Sequence, residues 1–328
     1  MQIDWERPAT SKSTAPWVAV LLGTYNGAKF LREQINSIAK QTYPNIAVWV
    51  SDDGSTDQTI LMLREAQQVW GEDRFVIFNG PKRGHIQNFL TLICRKDINT
   101  DYFALCDQDD IWLPNKIARA LEYLSNEDPI KPCLYGSAYF LMNSKGEPSA
   151  PKYLTKKPQE LEFRRAICEN FASGNTMVFN KNLQTHIQKA GSQVEVASHD
   201  WWLFLMVTGI GGVVFFDSRP SLLYRQHKTN LIGANVGLKS KINRARLMLS
   251  GRSIRWFDSH CACLQKIQPS LAPSNIALLN LIALLNTSSR FKRLLMFKDF
   301  TICRHSYLET LIFKLVVLIR KFRSARTI

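Results

Sequence analysis

The feature of the sequence that most restricts its fold is a set of four short apolar runs that alternate with helix-like segments. The runs are WVAVLL (17–22), IAVWVSD (46–52), RFVIFN (74–79) and YFALCD (102–107). None of them alternates strictly between apolar and polar residues, which is typical of parallel strands covered on both faces. Residues 28–42 and 57–70, which separate the first three runs, carry apolar residues near helical spacing. This order predicts an α/β fold with a largely parallel sheet.

The second half of the sequence has a less regular order of elements. Further apolar runs predict strands at 134–143, 175–180, 212–217 and 222–227. Beyond residue 238 the apolar residues recur at helical spacing. We therefore divide the chain into an N-terminal tail (1–15), an α/β domain (16–235) and a basic helical C-terminal region (236–328).

The net charge of +15 is concentrated in the last third of the 328 residues. Residues 231–328 contain 17 Lys and Arg against three acidic residues, so they carry +14 and the remainder carries +1. No apolar run reaches the about 20 residues that a membrane-spanning helix needs. Asp4 and Glu6 stand where a secretory signal needs a basic start, and the seven cysteines form no paired framework. These features predict a cytoplasmic protein.

Three interpretations of the basic tail remain open. The first is a solvated helical cap on the α/β domain. The second is attachment to the anionic inner face of the plasma membrane, because an apolar stripe at 308–322 stands beside Lys314, Arg320, Lys321 and Arg323. The third is nucleic-acid binding, which rests on the basic composition alone. Because the stripe is aliphatic and no nucleic-acid motif accompanies it, we favour the membrane and predict no nucleic-acid partner.

Small and acidic residues follow three of the four predicted strands. The segments are GTYNG (23–27), SDDGSTD (51–57) and DQDD (107–110). Taken alone, the first is a Gly-rich turn without a nucleotide-binding glycine motif, and the second also fits a turn with a helix cap. Because ligands bind at the carboxyl ends of parallel strands, we expect the three segments to form one rim. Their convergence predicts a ligand site.

The DQDD segment predicts a metal ion. Asp107, Asp109 and Asp110 stand so close that their charges oppose one another unless a cation neutralises them. Hard divalent ions prefer carboxylate oxygens, and Mg²⁺ or Mn²⁺ held by a D-x-D pair keeps positions open for phosphate oxygens. The alternative is a solvated acidic turn. In either case we expect Asp110 to cap a helix that begins at Ile111.

Together these segments resemble the family 2 glycosyltransferases, and most closely their rhamnosyltransferase-like members. The similarity is detailed over residues 16–125, which contain TYNG, DDGS and DQDDIW in the family's order. It is looser to residue 230, where ASGNTMVFNK, SHDWW and YRQHKTN resemble later motifs, and it does not cover the tail. The resemblance implies a GT-A fold, a Rossmann-like nucleotide-binding half with a mixed central sheet, and inverting sugar transfer from a nucleotide sugar.

The resemblance also implies roles for individual residues. The positions that match the donor-binding site are Gly23, Thr24, Tyr25, Asn26, Asp53, Gly54, Ser55, Asn88, Asp107, Gln108 and Arg225. Asp109 matches the carboxylate that holds Mg²⁺ or Mn²⁺, with Asp107 and His227 as further ligands. Asp200 matches the catalytic base, and Trp201 and Trp202 beside it suit the apolar face of an acceptor sugar. Without the resemblance, SHDWW is an ordinary helix start with both tryptophans packed inward.

The function implied is transfer of L-rhamnose from dTDP-rhamnose to a lipid-linked surface polysaccharide or O-antigen acceptor. The enzyme would work as a peripheral protein on the inner face of the plasma membrane. UDP-galactose and UDP-glucose are the alternative donors. A protein of another class also stays open, namely a basic membrane- or nucleic-acid-binding protein without enzymatic activity.

Overall fold

The computed structural model describes residues 5–6, 8, 14–143, 146–148, 161–226, 251–304 and 306–319. Its strands are β1 (Val18–Thr24), β2 (Ile46–Asp52), β3 (Phe75–Asn79), β4 (Tyr102–Cys106), β5 (Ile111–Trp112), β6 (Cys133–Ser137), β7 (Phe140–Met142), β8 (Val178–Asn180), β9 (Val213–Asp217) and β10 (Leu222–Arg225). Its α-helices are α1 (Leu31–Ala39), α2 (Thr59–Trp70), α3 (His85–Ile93), α4 (Lys116–Leu124), α5 (Phe163–Ala166), α6 (Lys181–Ala190), α7 (His199–Gly209), α8 (Arg252–Lys266), α9 (Pro273–Thr287), α10 (Arg290–Leu295) and α11 (Tyr307–Ile319).

The central sheet has seven strands in the order β3-β2-β1-β4-β8-β6-β9. Strands β1 to β4 are parallel to their neighbours among themselves, whereas β8 is antiparallel to both β4 and β6. The strand order reverses at β1, because β2 and β4 lie on opposite sides of it. The carboxyl ends of β1, β2 and β4 therefore meet at a topological switch point, where α/β proteins bind their ligands. The predicted α/β class is confirmed.

A second sheet has three strands in the order β5-β10-β7. Its strand β5 follows β4 in the sequence, just after the switch point. Ile111 and Trp112 form β5 and pair with Leu223 and Leu222 of β10. The prediction that a helix begins at Ile111 is therefore wrong, since α4 begins at Lys116. The pairing partner lies far along the chain, and its contacts override the local helix signal.

The apolar core lies on both faces of the central sheet. Successive residues of β1 point to opposite faces, so that Val20 and Leu21 belong to different clusters. The cluster that contains Leu21 continues into the C-terminal helices, where Phe257, Leu279 and Phe313 are buried in it. The C-terminal helices and the sheet thus share one core. The predicted domain boundary at residue 235 lies outside the described residues and stays a prediction.

The helices of the C-terminal region are short. The longest, α8 and α9, have 15 residues each. Across the described ranges, none of the helices combines the length and the apolar character that crossing a bilayer requires. All seven cysteines lie within these ranges and carry free thiols.

Candidate active site

One buried carboxylate joins the loops that follow β1 and β2. Asp52 is 4% exposed, and its Oδ1 accepts hydrogen bonds from the backbone N–H groups of Gly54 (3.1 Å) and Ser55 (2.8 Å). Its Oδ2 accepts from the hydroxyls of Thr24 (2.7 Å) and Ser55 (2.6 Å). Gly54 has a φ of 98°, which glycine adopts readily. Asp52 is the first aspartate of the DDGS motif, but it was not among the predicted site residues.

Two predicted donor-binding residues join the end of β2 to the segments that follow β3. The carboxylate of Asp53 accepts from the backbone N–H groups of Lys82 and Gly84 in the loop between β3 and α3, both at 2.7 Å. Asn88 of α3 is 3% exposed, and its side chain donates to the carbonyl of Ser51 (2.8 Å) and accepts from the Ser51 hydroxyl (2.6 Å). Asp53 therefore fixes the loop between β3 and α3, and Asn88 fixes α3 against β2.

The segment GTYNG is clasped to DQDD by a side-chain amide. Oε1 of Gln108 accepts from the backbone N–H of Tyr25 (2.8 Å), and its Nε2 donates to the Tyr25 carbonyl (3.0 Å). A Cβ on Gly27 would lie 2.1 Å from that Oε1, so the clasp requires glycine there. Asn26 links the same segment to SDDGSTD by accepting from the backbone N–H of Thr56 (2.8 Å). The predicted common rim is confirmed, and the Tyr25 ring, 58% exposed, projects from it.

The carboxylate of Asp107 is perturbed by its surroundings at this rim. Burial raises the pKa of Asp107 to about 7, and the negative charges of Asp109 and Asp200 act in the same direction. Asp200 is joined to the DQDD segment through two neighbouring residues, because the Gly174 N–H donates to Asp200 and the Asn175 side chain donates to Asp110. Within the described residues, no cluster of three or more metal-binding side chains is preformed. Asp107 and Asp109 fit the role of a carboxylate pair that shares Mg²⁺ or Mn²⁺ with phosphate oxygens and water.

The third aspartate of DQDD is buried below the rim. Asp110 is 0% exposed, accepts from the side-chain amide of Asn175, and accepts from the backbone N–H of Arg225 (3.2 Å). Burial and the charges of Asp109 and Asp107 raise the pKa of Asp110 well above its usual range. The predicted helix cap is therefore wrong, and Asp110 instead joins DQDD to β10.

Asn175 and its neighbour Gly174 connect Asp110 of the DQDD segment to Asp200, the predicted base. The buried ammonium group of Lys116 donates to the Asn175 carbonyl (2.7 Å). Burial lowers the pKa of Lys116 to about 7, and Asp110 is among the negative groups that oppose this shift. One residue earlier, the backbone N–H of Gly174 donates to Oδ2 of Asp200 (3.0 Å). This segment belongs to the ASGNTMVFNK motif, but no role for it followed from the sequence.

Asp200 lies in the first turn of α7 and is partly exposed. Its Oδ1 accepts from the backbone N–H of Trp201 (2.7 Å), so the two carboxylate oxygens are held from two sides. His85 lies nearby, and its ring packs edge to face on His199 with centroids 4.9 Å apart. Burial lowers the pKa of His85, while Asp200 and Asp109 act against that shift. His85 thus lies within electrostatic reach of both aspartates, and no role for it followed from the sequence.

The two tryptophans next to Asp200 do not line a pocket, which corrects their predicted acceptor contact. Trp202 is 0% exposed and Trp201 is 9% exposed. The indole N–H of Trp201 donates to the Ala166 carbonyl (2.6 Å), and its ring packs on His260 with centroids 4.6 Å apart. The helix α7 is apolar around most of its circumference and lies within the core, which leaves its aromatic side chains no access to ligand.

Arg225 also differs from its prediction. Its side chain is buried, donates from Nη2 to the Glu33 carboxylate (2.6 Å) and donates from Nε to the Asp109 carbonyl (2.9 Å). The guanidinium therefore contacts the backbone of DQDD from the protein interior. It makes this contact instead of the predicted contact with the donor. Gly23 has a packing role, since a Cβ there would lie 2.9 Å from the Phe89 ring. His227 lies outside the described residues.

Comparison of the sequence with known proteins identifies its relatives. Residues 19–181 match the sequence model described as glycosyl transferase family 2. The chain is 31% identical over 234 residues to dTDP-rhamnosyl transferase RfbG of Shigella flexneri, a match that covers 69% of this chain and 78% of that protein. It is 28% identical over 225 residues to the uncharacterized glycosyltransferase RT0329 of Rickettsia typhi, with 65% of each chain covered.

Solved structures share the fold. Staphylococcus aureus TarS 1-349 in complex with UDP-GlcNAc superposes with a TM-score of 0.52 at 15% identity and covers 86% of this chain and 84% of its own. The complex of the same protein with UDP has a TM-score of 0.52 at 15% identity and covers 75% and 65%. At this level of identity the likeness concerns the fold alone.

The mixed sheet and the sequence matches together define the chain as a GT-A glycosyltransferase. Within that class, it belongs to glycosyl transferase family 2, as a rhamnosyltransferase-like member.

Proposed function

We propose that the protein transfers L-rhamnose from dTDP-rhamnose to a lipid-linked surface polysaccharide or O-antigen acceptor, with inversion at the anomeric carbon. The observation that supports the reaction class is the hydrogen-bonded link between Asp200 and the DQDD segment at the switch point, in which Gly174 donates to Asp200 (3.0 Å) and its neighbour Asn175 donates to Asp110. The choice of sugar is supported by the similarity to a dTDP-rhamnosyl transferase over 78% of its length.

The donor site is formed by the rim. We propose that the exposed Tyr25 ring packs against the nucleoside base, with the backbone of Thr24, Asn26 and Gly54 forming the wall beside it. Asp109, together with Asp107, would hold Mg²⁺ or Mn²⁺. Bound there, the ion would neutralise charge on the departing nucleoside diphosphate.

Asp200 is proposed as the base. Its two oxygens each accept a backbone N–H bond, from Gly174 (3.0 Å) and Trp201 (2.7 Å), which fixes the orientation of the carboxylate. A carboxylate oxygen in this orientation takes the proton of the acceptor hydroxyl as that oxygen attacks the anomeric carbon from the face opposite the leaving group. Positioned general-base catalysis of this kind contributes about 10²–10⁴-fold to the rate.

Two variants separate the two roles. Asp109→Ala is expected to abolish Mn²⁺-dependent binding of dTDP-rhamnose in calorimetry. Asp200→Asn is expected to bind the donor normally but to slow transfer by about 10³-fold. Asp128→Asn, an exposed aspartate of the loop after α4, is the matched control and should change neither. Equal loss of binding and transfer in both site variants would contradict the division of roles.

The same assay tests the alternative donors and the alternative class. UDP-galactose and UDP-glucose are measured beside dTDP-rhamnose under identical conditions. Preference for a UDP-hexose would replace the rhamnose assignment and leave the mechanism in place. If the protein neither binds nor hydrolyses any of the three donors in the presence of Mn²⁺, the result would argue against an enzymatic function and favour a basic binding protein.

We also propose that the enzyme works on the cytoplasmic side of the plasma membrane as a peripheral protein. The support is the charge of +14 on residues 231–328 and the lipid anchor of the proposed acceptor. Co-sedimentation with anionic vesicles that weakens as salt is raised is the expected result. Equal sedimentation with neutral vesicles would contradict an electrostatic attachment.

A further inference from the structure

Helix α10 has the reverse of the side-chain arrangement that water favours. Phe291 is 71% exposed, Leu294 66% and Leu295 65%, whereas Arg293 is only 8% exposed. Arg293 is the one buried side chain among those of α10 that the structure describes. A surface helix of a water-soluble protein normally turns its apolar residues inward and its charges outward. The outer face of α10 therefore suits an apolar environment.

Hydrogen bonds fix this orientation. Nε of Arg293 donates to the Ser288 carbonyl (2.9 Å), and Nη1 donates to the Leu318 carbonyl at the end of α11 (3.3 Å). The hydroxyl of Ser289 caps the helix by accepting from the backbone N–H of Lys292. Just after the helix, Phe297 packs against the core. Rotating α10 to bury its apolar side chains would break the bonds of Arg293, so their exposure is built into the fold.

The charge around α10 selects among possible partners. Lys292 and Lys298 are exposed beside the apolar side chains. Residues 290–328 contain ten Lys and Arg against Asp299 and Glu309, a net charge of +8. A second copy of the chain would meet this face with the same positive charge, which opposes self-association. An anionic bilayer offers both negative head groups and an apolar interior.

Helix α11, which the sequence pattern favoured for membrane contact, is largely committed to the core. Phe313 and Val317 are each 1% exposed and belong to the apolar cluster shared with the sheet. Among the α11 side chains that the structure describes, the exposed apolar ones are Tyr307 and Leu308 in its first turn and Leu315. The helix thus supports α10 through the contact between Arg293 and its last turn.

We propose that α10 is the element that enters the membrane. Phe291, Leu294 and Leu295 insert into the interfacial region of an anionic bilayer, and Lys292 and Lys298 contact head-group phosphates. The proposal rests on the membrane location proposed above and assigns it to a surface that the sequence pattern did not select.

Vesicle binding of the full chain tests the assignment. Vesicles of phosphatidylglycerol with phosphatidylethanolamine are compared with vesicles of phosphatidylcholine alone. The combined substitution Phe291→Ser, Leu294→Ser and Leu295→Ser is expected to weaken partitioning to the anionic vesicles by at least about tenfold. Replacing Lys292 and Lys298 by Gln is expected to weaken it by about fivefold for each charge and to reduce its salt dependence.

The chain offers matched controls on its other half. Ile130 is 76% exposed and Leu61 is 58% exposed, far from the basic region in sequence, so Ile130→Ser and Leu61→Ser remove similar apolar surface. These variants are expected to bind vesicles as the unchanged chain does. The single substitution Leu294→Glu repeats the test with the rest of the surface intact. Thermal melting and donor binding should be the same in every variant, because none of these side chains is buried.

Each outcome decides a different point. Loss of binding in the α10 variants alone supports the proposal. Undiminished binding of the triple variant to anionic vesicles overturns the role of α10 and leaves the membrane location standing. Absence of binding by the unchanged chain overturns both. Transfer to a water-soluble acceptor analogue is measured in parallel, so that failure of the glycosyltransferase assignment is recognised separately.

Discussion

Replacing Asn175 by Ala probes the link between the two sides of the site. Asn175 is 1% exposed, its side-chain amide donates to Asp110, and its carbonyl accepts from Lys116 (2.7 Å). The next residue back, Gly174, donates its N–H to Asp200 (3.0 Å). The substitution removes the donor to Asp110 and keeps the carbonyl that holds Lys116.

The loss of stability follows from the bond to Asp110. A hydrogen bond between neutral groups contributes about 1 kcal/mol to stability, and one to a charged group about 1.5–3 kcal/mol. Burial raises the pKa of Asp110, so this bond lies between the two cases, and the other oxygen keeps its bond from the Arg225 N–H (3.2 Å). We therefore expect Asn175→Ala to lower the free energy of unfolding by about 2 kcal/mol, measured by urea denaturation.

The effect on catalysis is expected to exceed the effect on binding. Without its side-chain anchor the segment at 174–175 shifts, and the Asp200 carboxylate loses its alignment with the acceptor hydroxyl. Misplacement of a reacting group costs up to about a hundredfold in rate, so we expect kcat to fall by about 10–100-fold. The affinity for dTDP-rhamnose, measured by calorimetry, should stay within about twofold, because the rim that binds it is unchanged.

Asn180→Ala is the matched control for this prediction. Asn180 is 7% exposed, and its side chain accepts from the backbone N–H groups of Cys133 (3.0 Å) and Leu183 (3.1 Å), away from the rim. It should lose comparable stability without losing kcat at a temperature where both variants are folded. Unchanged kcat in Asn175→Ala, or an equal fall in Asn180→Ala, would refute the reasoning.

Two further predictions concern the rim and the response to acid. Gly27→Ala places a Cβ 2.1 Å from Oε1 of Gln108, which breaks the clasp on Tyr25 and should weaken donor binding in calorimetry by at least about tenfold. Gln108→Ala removes the same clasp without a clash and should weaken donor binding to a similar extent, so normal donor binding by Gly27→Ala would contradict the steric explanation. Burial alone would raise the pKa of Asp217, but hydrogen bonds from Arg219 and Arg119 lower it to about 2. A lowered folded-state pKa stabilises the protein above the ordinary aspartate pKa and ceases to do so as the pH falls through about 2. Asp217→Asn should therefore lower the free energy of unfolding by about 2 kcal/mol at neutral pH, measured by urea denaturation. The loss should become progressively smaller as the pH falls towards 2. An equal loss at every pH would contradict the ionic origin of this stabilisation.

The strands and the rim were predictable because their signals are local. Each of the first four strands is a short apolar run that ends in turn-forming residues, and parallel strands bring those ends to one edge. Which aspartate is buried and which faces the cleft was not predictable. Asp110 is separated from Arg225 by 115 positions, and only the pairing of β5 with β10 brings them together.

The side chains that the sequence assigned wrongly share a cause. Trp201 and Trp202 follow Asp200, the proposed base, and their spacing fits a pocket wall as well as it fits a helix buried on all sides. Burial on all sides depends on α8, which comes about fifty residues later and covers α7. The outward apolar face of α10 could not be predicted from the sequence either. It exists because the arginine at the centre of α10 is buried, and that burial depends on the position of the α11 carbonyl to which the arginine donates.

The packing of α8 on α7 determines what a truncated protein would report. Trp201 contacts the rings of Trp256 and His260 on α8, and His260 accepts a hydrogen bond from the Ala197 N–H (3.1 Å) just before Asp200. The C-terminal helices thus pack behind the helix that carries the proposed base. A shortened chain that lacks them would lose activity through a displaced base, even in a detergent solution with no membrane present. Point substitutions on the outer surface, and not deletions, separate attachment from catalysis in this enzyme.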